Sequence, residues 1–227
     1  MKERTLKIVI EFICVSTVLY GLFMSVESLK SFTYFTTLSN VFIGCTMGYA
    51  LLLNLCNKEY SQTFYRIKFL SVISITLTFL VFMFMLAPVI EGGMIKAYTM
   101  QHYGSFCLHF LAPILTVVDF FLFDYKFRHN KYDAYLSVVP PLVYVSIVFI
   151  LGKCGMRWMN DMVMPYNFLN YKAPTGWFGF DLSIMSFETL GIGVVYSILF
   201  LLILFILLGH LFLKLKDMRK NGASIIK

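Results

Sequence analysis

Residues 31–40 read SFTYFTTLSN, a polar hinge between two apolar runs, Lys7 to Leu29 before it and Phe35 to Leu55 after it. A helix needs about twenty apolar residues to cross the hydrocarbon core of a bilayer, and each run is of that order. The hinge therefore marks the turn between two membrane crossings. Working outward from it, four more segments pass the same test: Ile67 to Ile90, Gly104 to Phe123, Tyr135 to Gly152 and Phe187 to Leu213. The expectation is an all-α polytopic membrane protein with six transmembrane helices. No internal repeat divides it, so residues 1–227 read as one domain, with a long connection at 153–186.

Composition agrees. Of the 227 residues, 59% are hydrophobic and 14% charged, and the mean hydropathy of +0.78 leaves too little charge to clothe a soluble core. The net charge of +7 does not point to nucleic acid, because Lys and Arg stand at the edges of apolar runs and form no basic stripe. Cys14, Cys45, Cys56, Cys107 and Cys154 are odd in number and scattered, which supports neither a disulfide framework nor a metal site. The start MKERTLK is signal-like, but the apolar stretch after it offers no small-residue cleavage site and reads as a retained first helix.

Basic residues also orient the chain. Fourteen of them fall on the side that carries both termini and five on the other, so the rule that positive charge stays inside predicts cytoplasmic termini. The 153–186 connection is then extracytoplasmic. Its length and its Trp158, Pro165, Tyr166, Pro174 and Trp177 suit a lid or binding loop at headgroup level.

Chemistry concentrates at the hinge. At about 100° per residue, Thr36, Ser39 and Asn40 share one side of the second helix. The candidate partner is His109, embedded in GSFCLHFLAPILTVVD (104–119) at similar outer depth. A threonine hydroxyl becomes a nucleophile when a base takes its proton, and imidazole is the usual base near neutral pH. Ser105, Pro113 and Thr116 lie on the face of His109 and give it a polar, kinked stripe. An orienting carboxylate would come from Glu27 or Glu188, since Asp119 is about 15 Å further along the helix axis. Asp119, Asp124 and His210 read as caps or snorkelling groups at the inner face. Ser39 and Asn40 are candidate donors to an oxyanion, or else fix a helix contact. The competing use of Thr36 is a bond back to its own helix or to a neighbour, and His109 is equally compatible with a structural hydrogen bond.

Four blocks, YFTTLSN (34–40), LHFLAPILTVVDFFLF (108–123), PPLVY (140–144) and MPYNFL (164–169), together resemble the bacterial branch of the androgen-induced-gene-one-like family of six-helix membrane proteins. Characterised animal members are intramembrane threonine hydrolases of fatty acid esters of hydroxy fatty acids. The resemblance implies Thr36 as nucleophile, with Thr37 as the neighbouring candidate, and His109 as base. It also places Tyr166 in the aromatic-proline block before the last helix. It further implies a membrane-lipid or acyl-ester substrate, no cofactor, no metal, and a bacterial plasma-membrane setting. The rival class is a non-enzymatic membrane protein, a small carrier or a structural or interaction protein, whose polar stripe lines a path or joins helices.

Overall fold

The computed structural model describes residues 2–89, 93–99, 103–186 and 189–225. Among the described residues there are seven helices: α1 (Lys2–Ser25), α2 (Phe35–Leu55), α3 (Gln62–Phe84), the short α4 (Gly93–Thr99), α5 (Gly104–Phe123), α6 (Tyr135–Lys153) and α7 (Val194–Ile225). All but α4 are long and apolar enough to cross a membrane. Lipid offers no partner to backbone N–H and C=O groups, so each crossing must satisfy its own, which a helix does.

Helix ends depart from the hydropathy reading where polar chemistry takes over. α1 starts at Lys2, because its charged leader winds into the helix, and it stops at Ser25 instead of Leu29. α3 begins five residues ahead of the expected Ile67, since Ser61 accepts the Phe64 N–H at 3.1 Å and caps it. α7 begins at Val194 and not Phe187, and it runs on through a charged stretch to Ile225. Phe187 and Ile90 lie outside the described residues.

Polar links confirm which connections share a face. Arg4 donates to the Asn54 carbonyl at 2.7 Å, Arg66 pairs with Asp133 at 2.9 Å, and His129 meets Asp217 at 2.9 Å. These gather the ends of the spans next to the two termini, here called the terminal face. At the opposite loop face, the Trp158 indole donates to Thr33 Oγ1 at 2.8 Å and the Tyr144 hydroxyl to the Thr33 carbonyl at 3.1 Å. The 153–186 connection is thus a folded cap docked on the 31–40 hinge. Val163, Met164 and Leu169 from that cap are buried with Tyr144 and Val148 of α6.

α3 is the centre of the bundle. Every residue from Ser71 to Thr78 is buried, so the hydroxyls among them must find partners inside. Ser71, Ser74, Thr76 and Thr78 each donate back to a carbonyl three or four residues earlier, at 2.7 to 3.1 Å. Two of them also bond across to α2, as Ser71 to Thr46 and Thr78 to Ser39, both at 2.9 Å. Around this polar seam pack Ile43, Met47, Phe69, Phe120, Phe127 and Phe205.

Two prolines shape the loop-face half. Pro113 has no N–H for the carbonyl four residues earlier, that of His109, and its ring crowds that carbonyl. The helix opens to π register over Cys107–Leu111, just before it. α3 does the same at Phe82–Leu86, ahead of Pro88. The two π turns meet through the rings of Phe82 and His109, stacked 3.9 Å apart and 2° from parallel. A glycine permits the neighbouring approach of α1: a Cβ on Gly21 would sit 2.5 Å from Leu108 Cδ2.

Candidate functional site

At the loop face, a cavity of about 260 Å³ lies between the start of α2, the middle of α6, the loop-face half of α3, and α7, closed over by the cap. Its wall is mostly apolar, with Phe35, Leu77, Val81, Pro141, Leu201 and Phe205 from the helices and Met162, Pro165 and Phe168 from the cap. The polar exceptions include Thr36, Thr78 and Tyr166.

Thr36 reaches this wall because Tyr34 and Phe35 anchor the hinge. Phe35 packs edge-on to Tyr144 at 5.2 Å and to Phe205 at 6.0 Å. Tyr34 packs edge-on to Tyr166 at 5.9 Å. The carbonyl of Thr36 accepts both Ser39 Oγ at 3.0 Å and Asn40 Nδ2 at 2.8 Å. Ser39 and Asn40 therefore hold the Thr36 turn, and Ser39 ties it to Thr78 on α3. Thr37, half-buried beside Thr36, does not line the cavity.

Tyr166 comes from the cap, more than a hundred residues away in the chain. Its hydroxyl is buried and completes no hydrogen bond of good geometry, although it faces the backbone and hydroxyl of Thr36. Burial pushes this phenol up to about 12, partly offset by the nearness of Thr36. It is consequently a protonated donor lying beside the Thr36 hydroxyl.

His109 does not line the cavity. Val81 lines the cavity and its neighbour Phe82 carries the imidazole on its ring. The Nδ1 of His109 is buried without a hydrogen-bond partner. Among the described residues, no hydrogen bond links Thr36 to His109, and no carboxylate orients the ring through Nδ1. Ser105 is buried at the start of α5. Glu27 is exposed on the connection after α1. Glu188 and His102 lie outside the described residues.

No family model, no curated protein and no solved structure matches this chain. Residues from three of the four sequence blocks line one cavity, namely Tyr34 to Thr36, Pro141 and Tyr144, and Pro165 to Leu169.

A second cluster escaped the sequence reading. Asp124 stands at the C-cap of α5, as expected, but Asp119 is no cap and neither one snorkels: both are wholly buried, as are Lys68 and Glu11. Lys68 is bonded to Asp119 and to Asp124, the latter at 2.9 Å. Lys7 approaches Asp124 at 3.8 Å. Glu11 accepts from Asn54 at 2.7 and 2.8 Å and from the Tyr60 hydroxyl at 2.7 Å. The available signal was a set of charges inside apolar runs, with Glu11 one helical turn after Lys7. Counting Lys7 and Lys68 as topology markers concealed their partners.

Proposed function

We propose that this polytopic membrane protein is an intramembrane lipid-ester hydrolase whose nucleophile is Thr36 and whose base is His109. The observation that carries the reading is the capped apolar cavity, which presents the Thr36 side chain and an unpartnered Tyr166 hydroxyl to the same space. An acyl chain suits the Phe, Leu and Met walls, and the two hydroxyls suit the ester at its end. In this reading the His109 imidazole leaves its stack on Phe82 and enters the cavity, where, neutral, it accepts the Thr36 proton as Thr36 Oγ1 adds to the ester carbonyl. The tetrahedral intermediate then collapses to an acyl-threonine, and the imidazolium gives its proton to the departing alcohol. Water, deprotonated by His109, attacks the acyl-threonine and releases the acid, and the proton returns to Thr36. The Tyr166 hydroxyl donates to the developing oxyanion.

The test is labelling by an alkyl fluorophosphonate. Thr36→Ala and His109→Ala should each abolish labelling and ester turnover, with the double variant no worse than either, because residues acting as a unit are non-additive. Thr36→Ser should retain turnover. Labelling that persists in well-folded Thr36→Ala would remove Thr36 as the nucleophile. A second reading, a small carrier, is favoured by the buried charges near the terminal face, since ionisable groups within spans often mark ion pathways. It expects no covalent adduct at any residue.

A further inference from the structure

The cluster near the terminal face holds an unbalanced set of charges. Three carboxylates, Glu11, Asp119 and Asp124, face two ammonium groups, Lys7 and Lys68. Every one of these except Lys7 is 0% exposed. A buried carboxylate in excess of its cations is expensive and is neutralised by binding a positive charge. The three differ in how well their oxygens are satisfied. Glu11 accepts three hydrogen bonds over its two oxygens. Asp124 lies within 4 Å of both ammonium groups. Asp124 Oδ2 completes no hydrogen bond either but lies 2.9 Å from the Lys68 ammonium, whereas Asp119 is held through Oδ2 by Lys68 and its Oδ1 has no hydrogen-bond partner.

We infer that Asp119 Oδ1 is a proton-binding site within the bundle, supplied from the terminal face. A polar cavity of about 320 Å³ opens there between the starts of α1 and α3 and the connection after α5, and Lys7, Asn54 and Tyr60 line it. Tyr60 and Asn54 in turn bond Glu11. A metal ion does not fit the site, because among the described residues no three His, Cys, Asp or Glu side chains are grouped to hold one. A proton needs only the one free oxygen. The groups facing Asp119 are Glu11, Lys7 and Cys14 from α1, Lys68 from α3, and Asp124 beyond its own helix. Tyr60 comes from the connection before α3. The cation of α7, Lys216, is turned to the Phe120 carbonyl at 3.0 Å and lies over the Phe120 ring. When the proton leaves, it departs through this cavity and the cluster regains its net negative charge.

Infrared difference spectroscopy on the full chain in phosphatidylethanolamine and phosphatidylglycerol vesicles tests the site. At neutral pH the wild type should show the carbonyl stretch of a protonated carboxyl group, shifted by carbon-13 aspartate and bleached by alkali. Asp119→Asn should lose that band, whereas Glu11→Gln and Asp124→Asn should keep it. Should Asp119→Asn fail to fold, the labelled wild type and the Asp124→Asn band still decide. Absence of any aspartic-acid band at neutral pH, its survival in Asp119→Asn, or its displacement by sodium would each overturn the inference.

Discussion

The two ends of this bundle solve the problem of buried polarity in opposite ways. At the terminal face, charge meets charge: Lys68 is shared by two aspartates, and Glu11 is wrapped by Asn54 and Tyr60. At the loop face, polarity is sparse and carries no ion pair to offset it: Tyr166 Oη, His109 Nδ1 and Asn40 Oδ1 are buried without partners, whereas the unbonded Asp119 Oδ1 and Asp124 Oδ2 of the terminal face belong to carboxylates paired with Lys68. Unsatisfied groups cost stability, and proteins retain them where a ligand or a reaction will use them. The difference teaches that the densest set of charges and the proposed reaction site are separate places in one small membrane domain.

The largest effect expected from this contrast falls at the terminal face. Lys68→Met keeps most of the volume but strands Asp119 and Asp124, and breaking a buried pair in this way costs about 3–5 kcal/mol. Thermal unfolding in detergent should show that loss, and a variant as stable as the wild type would mean that the pairing contributes nothing. Next in size is the loop face, where the opposite pattern is expected. Tyr166→Phe removes a hydroxyl that bonds nothing, so stability should hold or rise, while kcat for ester hydrolysis should fall by about 10²–10³, the usual consequence of losing an oxyanion donor. Lower stability with unchanged turnover would make Tyr166 a packing residue. The smallest effect belongs to the seam between the two regions. Cutting the Thr46 to Ser71 bond by Thr46→Val should cost only about 0.6 kcal/mol, as interhelical hydrogen bonds in membranes do. A loss comparable with Lys68→Met would show that the seam, and not the charge cluster, holds the bundle together.

Six crossings could be read from the sequence because lipid imposes a one-dimensional rule: a span must be long, apolar and helical, and hydropathy along the chain records all three. The hinge at 31–40 was legible for the same reason. Side-chain partners follow no such rule. Lys68 meets Asp119 across 51 positions, and Tyr166 reaches Thr36 only because Trp158, Val163 and Leu169 fold the cap onto the hinge. Period and composition say that a residue faces the interior, but not which neighbour it finds there. That choice was made by tertiary packing: by the buried α3 at the centre, by two prolines that open π turns beside Phe82 and His109, and by Gly21, whose missing side chain admits α5.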